Sequence, residues 1–437
     1  MKKIFCLLLI ISSVTWAQNK IYTLEESLLT GLKNNDLMKI SESKMRETEF
    51  LYKAQKKELL PKLKLTAGYT RFSDVDPFEV SVPFSPTPIK IQDALLNQYT
   101  LGATVTQPLF TGFRLSSGVN IANYNRKIYE VENKETANQV SLNIIKSYWE
   151  FAKIKLINIL LEKRLTSVQN HVKDSKVYLQ NGLITKNELL KLQVLESDTK
   201  IKLLEAKDKI ELARMNFNKA IGINLDAESE IESEIFSVTE KPENFKTYLA
   251  EAFKNRNEIK TTDLNLLSAK EKIKMTEASY YPQVSLFATV NYNNPNQRYM
   301  PLKDEFNESW AAGVSLNWEL WNWGQTSDKK QQTKERFYQL SVSKKLVQEK
   351  IEVEVYKNYL DLITIEKQIK NIELMKTQTK ENLRISKKKY SEHLITGSDL
   401  VDAETDFLEA EIKLAKIKMD RQILQEVFKK SLGRKLY

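Results

Sequence analysis

Three carboxylates have the type and spacing to do chemistry: Glu188, Asp399 and Asp402. The tripeptide Leu-Ile-Thr occurs at 183–185 and again at 394–396, 211 positions apart, each time with an acid three residues beyond the Thr. Thr185 with Glu188, and Thr396 with Asp399, read as capping boxes. The Thr hydroxyl accepts from the third helical backbone N–H and the acid reaches back to the cap N–H. Capping alone accounts for Glu188 and Asp399, at about 0.5–2 kcal/mol each. Asp402 follows Asp399 by three residues, so the two share one helix face, and no cap explains it. Copies of this pair facing one axis would form a cation-attracting constriction, as acidic rings do in pores.

Other chemistries lack their residues. The two histidines, His171 and His393, have no metal-ligand spacing and read as surface residues. No two glycines lie within five residues of each other, which excludes G-x-G-x-x-G and Walker loops. Neither H-E-x-x-H nor G-x-S-x-G occurs. The expectation is therefore no enzyme and no cofactor. The net charge is +10, but the charges are interleaved, with no basic stripe or module of the kind nucleic acid requires. The surplus suits the solvated faces of long helices.

The chain starts with Met1-Lys2-Lys3, an apolar run from Ile4 to Ile11, and Thr15-Trp16-Ala17. This reads as a secretory signal peptide over residues 1–17; eight apolar residues are too few to span a bilayer. The only cysteine, Cys6, lies inside it, so the exported chain would hold no thiol chemistry. No later run approaches 18 apolar residues, and entry into a membrane would need strands closed into a barrel.

The repeated tripeptide belongs to a larger repeat. At an offset of 211, Gly102 falls on Gly313, Leu109 on Leu320, Phe110 on Trp321 and Gly182 on His393. Upstream the offset is 221, with Pro61 falling on Pro282 and "GLKNNDL" (31–37) resembling the stretch at 252–259. Two units follow, 18–240 and 241–437, joined by a Glu/Ser-rich linker at 226–245. Each reads as a helix, a strand pair and two long helices. Strands are expected at about 62–72, 98–110, 283–293 and 309–321, where apolar and polar residues alternate with period two. Leu63, Leu65, Ala67 and Tyr69 share one face; Trp310, Ala312, Val314, Leu316, Trp318 and Leu320 share another. Trp310, Trp318, Trp321 and Trp323 suit the aromatic girdle of a membrane barrel. Four strands cannot close alone, since about eight are the minimum for a filled barrel. The stretches at 72–93 and 293–309 read as exposed loops.

Helices are expected at about 113–179, 186–220, 324–391 and 397–432. At about 1.5 Å per residue the longest runs are on the order of 100 Å, and such lengths need coiled-coil seams. Leu203, Ala206, Ile210, Ala213 and Phe217 supply one; Leu362, Ile365, Ile369, Ile372, Thr379 and Leu383 supply another.

The signal peptide, the tandem units, the strand ends "QPLFTGF" (107–113) and "WELWNWG" (318–324), and the Gly-Leu-Ile-Thr turn together resemble the TolC-like outer membrane efflux protein family, over essentially the whole exported chain. The resemblance implies a mostly helical fold with transmembrane β-structure. A homotrimer would pool four strands per subunit into a 12-stranded barrel in the outer membrane, with the helical hairpins forming an α-barrel across the periplasm. It implies an exit duct for drugs, toxic compounds or metal ions, joined to a periplasmic adaptor and an inner-membrane transporter of resistance-nodulation-division or ABC type. The outer membrane part of a type I protein secretion system is the alternative within the family. A non-channel periplasmic coiled-coil scaffold or adhesin is the alternative of another class. By position, Asp399, Asp402, Glu188 and Tyr390 match pore and gate residues, while Ile395 stands where the family's latch uses an Arg. Gly182, Leu183, Thr185, Leu394, Ile395 and Thr396 match the adaptor contact. Pro108, Gly112 and Gly324 match the barrel-to-helix transition. Pro108 is kept in the first copy, with Glu319 opposite it in the second.

Overall fold

The structure, a computed structural model, describes residues 20–232, 244–392 and 394–437. The expected signal peptide, the junction at 240/241 and His393 lie outside the described residues. In chain order the elements of the first repeat are β1 (Lys20–Tyr22), α1 (Leu24–Asn34), α2 (Asp36–Lys57), β2 (Lys62–Arg71), β3 (Phe78–Val80), β4 (Ile89–Gln92), β5 (Asn97–Phe110), α3 (Arg114–Gln180) and α4 (Lys186–Ile221). Then come β6 (Ser229–Ile231), α5 (Phe245–Asn255), α6 (Asn257–Glu277), β7 (Gln283–Asn294), β8 (Asn307–Asn317), α7 (Gln325–Ser391) and α8 (Gly397–Ser431). The fold is mostly helical with two tandem repeats. Among the described residues no helix is long and apolar enough to cross a membrane.

The chain divides into two units. One comprises the chain up to Glu42, Glu132–Ile259 and Val347–Tyr437. Its core gathers Ile144, Ile145, Phe151, Phe217 and Ile221 in the first repeat and Ile351, Val355, Phe428 and Leu432 in the second. The expected seam of α4 faces inward: Ala206, Ala213 and Phe217 are buried.

The repeat holds at atomic detail. The αL glycines Gly222 and Gly433 end α4 and α8 and press on backbone; a Cβ on Gly222 would lie 2.7 Å from Asn34 C, and one on Gly433 would lie 2.8 Å from Arg256 N. The peptide so crowded is the break between α1 and α2, or α5 and α6, where one helix was expected in each repeat. Asn35 and Arg256 leave helical geometry there (ψ 132° and 129°). Asn35 Nδ2 donates to Ala220 O, and Arg256 Nη1 donates to the matching Ser431 O. Arg256 is buried, and Glu258 and Glu354 answer its charge. Core volumes trade in the same way. Gly31 packs on Ile144, whose Cδ1 would lie 2.3 Å from an added Cβ. In the second repeat Ala252 stands opposite the smaller Val355, both fully buried.

The second unit comprises Ser43–Val131 and Lys260–Leu346. It holds an antiparallel sheet in the order β2-β5-β7-β8. The register puts Leu63, Leu65 and Ala67 beside Val105, Ala103 and Leu101. These continue into Ala288, Val290 and Tyr292, and then Ala312 and Trp310. The middle of one face is thus apolar and exposed, with Arg71, Asn97, Gln107 and Glu308 toward its ends: Leu65 is 74% and Trp310 73% accessible. The other face is mainly Thr, Ser, Asn and Gly, with Lys62, Lys64, Phe287 and Ala311 among them, and the Thr104 and Thr289 hydroxyls are bonded at 3.0 Å. The outer edges of β2 and β8 pair with no strand among the described residues.

Pro108 sits where the β5–β7 register shifts. Lacking an N–H, proline suits a bulge. At each strand-to-helix transition two successive residues are left-handed: Gly112 and Phe113 in the first repeat, Trp323 and Gly324 in the second. Glycine serves the first position in one copy and the second in the other. Gly112 is also fixed by crowding, since its Cβ would lie 2.6 Å from Ala278 O.

Three further expectations need correction. β8 stops at Asn317, not 321; Trp318 turns away and its indole donates to Tyr280 O at 3.2 Å. The loop after β2 contains the β3–β4 hairpin, because Phe78, Val80, Ile89 and Ile91 favour extended pairing. The first part of the acidic linker forms β6, which pairs parallel with β1.

Candidate functional site

The hairpin turns lie at the ends of α3/α4 and α7/α8. α3 ends through Gly182 at φ 71°. Gly182 N donates to Leu179 O at 3.0 Å and Leu183 N to Tyr178 O at 2.9 Å. The two bonds satisfy carbonyls that a helix end leaves open, as αL glycine caps do. A Cβ on Gly182 would meet nothing within 4 Å, so only the dihedral requires glycine. Thr185 N then donates to Glu188 Oε2 (3.0 Å), and Glu188 N to Thr185 Oγ1 (3.3 Å). In the second turn Leu394 N donates to Lys389 O at 2.9 Å. Thr396 N and Oγ1 donate to Asp399 Oδ2 (2.9 and 2.8 Å), and Asp399 N to Thr396 Oγ1 (3.3 Å). The bonds from Thr396, backbone first and then side chain, hold the Asp399 carboxyl below its ordinary range.

Leu183 and Leu394 are exposed, at 64% and 68%, while Ile184 and Ile395 tuck halfway in. Two leucines held outward by capped turns are costly to leave in water. Asp402 is exposed on the same face as Asp399 and has no ion-pair or hydrogen-bond partner among the described residues. Beneath the turns Val168, Val172, Leu189, Leu192 and Val401 form a small core.

Tyr390 packs edge-on against His171, with ring centroids 6.3 Å apart, and lies within van der Waals reach of Gly397. Its hydroxyl is pushed up by burial, then by Tyr178, Asp174 and Glu188. Within one chain the Glu188 carboxylate serves its own cap, and no hydrogen bond joins it to Tyr390 among the described residues.

The sequence reading missed a polar node. His171 is not a surface residue; it is held between α3 and α8, its Nε2 3.1 Å from Glu404 Oε2. Ser167 Oγ donates to the same oxygen (2.9 Å), and Arg164 Nη2 donates to Thr405 (3.1 Å). Burial alone would raise the Glu404 carboxyl; the bonds from His171 and Ser167, with the charges of His171 and Lys387, hold it below the ordinary range. The signal was present as Arg164, Ser167 and His171, polar residues spaced 3 and 4 apart beside the seam residues Val168 and Val172. Among the described residues no cluster is placed to hold a metal ion.

The family model for outer membrane efflux proteins matches residues 30–223 and 248–434, both repeats. The chain belongs to the outer membrane efflux protein family. Solved structures agree on the fold. The outer membrane protein VceC of Vibrio cholerae superposes with a TM-score of 0.79 at 17% identity, covering 95% of this chain and 97% of that one. The Campylobacter jejuni CmeC outer membrane channel gives 0.79 at 15% identity, covering 94% and 85%. The open-state MtrE outer membrane channel of Neisseria gonorrhoeae gives 0.74 at 17%, covering 94% and 89%. No match to this sequence is found among curated proteins. As a member of the outer membrane efflux family the chain is an outer-membrane protein that extends into the periplasm. The family is one of efflux ducts rather than enzymes, and its members work as trimers with periplasmic adaptors and inner-membrane pumps.

Proposed function

We propose that three copies of this chain assemble head to tail into a closed duct that passes small molecules out across the outer membrane. The observation that carries this reading is the four-stranded sheet whose two edges pair with no strand among the described residues and whose one face is largely apolar and exposed. An open edge invites another strand, and in lipid every backbone group must be paired. β2 and β8 run in opposite directions, so β8 of one copy pairs antiparallel with β2 of the next. Three copies give twelve strands, enough to enclose water lined by the Thr/Ser/Asn face.

The helices support the same closure. α4 carries an exposed apolar stripe at Leu190, Val194, Ile201, Leu204, Leu212 and Met215, and α7 carries one at Val353, Tyr356, Leu360, Leu374 and Ile385. Steps of 4, 7 and 3 residues from Leu190 to Leu204, and of 3 and 4 from Val353 to Leu360, fit a coiled-coil seam, and each stripe seats on the other in the neighbouring copy. Asp399 and Asp402 then face the axis as the acidic ring, with Glu188 and Tyr390 at the gate beside them. Gly182, Leu183, Thr185, Leu394, Ile395 and Thr396 form the seat for the adaptor, which connects the duct to a pump. Pro108, Gly112 and Gly324 turn each chain from barrel into tube.

Edge-to-edge cysteine bridging tests the assembly. The only native cysteine is Cys6. Cysteines at Lys64 on β2 and Ser315 on β8, oxidised in outer-membrane fractions, should give a ladder that stops at three chains. A ladder that stays at one chain, or extends past three, overturns the closed trimer.

A further inference from the structure

The polar face of the sheet carries charge of one sign only. The register sets Lys62, Thr106, Phe287 and Gly313 across one level and Lys64, Thr104, Thr289 and Ala311 across the next. Every other residue of that face in β2, β5, β7 and β8 is uncharged. The remaining charged residues of these strands, Arg71 and Glu308, lie toward the ends of the apolar face.

The two lysines differ in state. Lys62 is paired with Glu58, just beyond the end of α2. Lys64 is exposed and has no ion pair or hydrogen bond among the described residues. A charged residue on a sheet face is ordinarily answered by an opposite charge across the strand, but the residue across from Lys64 is Thr104. The hydroxyls nearby are spent on other partners: Thr104 bonds Thr289 at 3.0 Å, and Thr66 donates to Gly102 O at 3.4 Å. The acid that follows β8, Glu319, lies beyond the strand, where Asn322 Nδ2 donates to it at 3.4 Å. One unanswered positive charge per chain therefore stands among small neutral side chains, near the start of β2.

We propose that Lys64 sets the charge preference of the strand-lined passage, as one of three lysines that form a positive collar favouring small anions over cations. This rests on the reading that three copies close one barrel around water. Its sign is opposite to that of Asp399 and Asp402 at the hairpin turns. Twelve strands about 4.8 Å apart and tilted by about 40° enclose a backbone radius of roughly 12 Å, which brings three extended lysines to within about 8 Å of the axis. Three unit charges at that distance shift the ratio of anion to cation entry by roughly tenfold in about 0.01 M salt, and by little in about 1 M salt, as the Debye length falls from about 30 to about 3 Å.

Reversal potentials of the full-length protein in planar bilayers, under a KCl gradient from about 0.01 to 0.1 M, test the collar. Lys64→Gln should move the reversal potential toward cation preference, Lys64→Glu should move it further, and Lys64→Arg should keep the wild-type value. Inositol hexakisphosphate, a small polyanion, should block the wild type and Lys64→Arg and block Lys64→Gln roughly tenfold less well. Lys64→Cys makes the same comparison within one folded protein. A cationic trimethylammonium-ethyl methanethiosulfonate should restore the wild-type potential during the recording, and an anionic sulfonatoethyl methanethiosulfonate should reproduce Lys64→Glu. The wild type, whose only cysteine is Cys6, should respond to neither. Channels that conduct with one reversal potential in all these forms overturn the collar and leave the duct standing. Absence of conductance in the wild type overturns both.

Discussion

Gly182 and Gly222 have the same left-handed dihedral, φ 71° at both, but different surroundings, and their replacement by alanine separates two costs. At Gly182 a Cβ meets nothing within 4 Å, so Gly182→Ala costs only the left-handed conformation, about 1–2 kcal/mol. At Gly222 the Cβ would overlap backbone at Asn34 and Asn35, 2.7–2.9 Å away. Main-chain atoms cannot rotate aside as a side-chain end does, so overpacking adds about 1–3 kcal/mol. Gly222→Ala should therefore be clearly the worse variant, and Gly433→Ala should match it, because its Cβ would meet Asn255 and Arg256 in the same way. Denaturant midpoints followed by far-ultraviolet circular dichroism, on protein purified in one detergent, measure the difference. Equal losses at Gly182 and Gly222 would refute the steric argument and with it the pairing of Gly222 with Gly433. The comparison also calibrates a functional test. Gly182→Asp alters an open turn, so it should leave assembly intact while abolishing export if the adaptor seats there; normal export would count against that contact.

Leu65→Lys and Thr66→Lys change adjacent residues on opposite faces of β2. The first should cost about 2–4 kcal/mol if it lands near the bilayer midplane and reduce the heat-modifiable folded fraction, while the second should be tolerated; equal behaviour would mean that neither face meets lipid. Asp402→Ala should weaken block of the conductance by multivalent cations at the periplasmic mouth, and unchanged block would remove Asp402 from the pore. The Glu404 carboxyl is held below its ordinary 4.5, so its pairing with His171 and Ser167 stabilises the fold above that pH and is lost as the pH falls through the lower folded value. The wild type should therefore melt higher than Glu404→Gln near neutrality, with the gap closing below about pH 4; a gap independent of pH would contradict the pairing.

Much of the fold was legible because its signals are local. The period-two alternation of "LKLTAGY" and the 3-4 spacing along α4 depend on neighbours in sequence, and the capping boxes at Thr185 and Thr396 need only four residues each. What stayed hidden depends on distant partners. The break at Asn35 is dictated by Gly222, and the one at Arg256 by Gly433, neither visible from the helix itself. β6 reads as an acidic linker because its reason to be extended is β1, some two hundred residues away. β8 ends early because Tyr280 offers a carbonyl to Trp318. At the turns the residues that draw the eye, Glu188 and Asp399, are occupied by their own caps. The coupled node of His171 and Glu404 lies 233 positions apart in sequence and looked like a surface histidine.

Planar-bilayer recording of the purified protein bears most directly on the central claim that several copies pool their strands around a hollow passage. Discrete conductance steps, carried by a heat-modifiable oligomer and lost in Leu65→Lys, are the predicted result. A folded oligomer that adds to the bilayer without conducting, or a chain that remains soluble and monomeric without detergent, would contradict it.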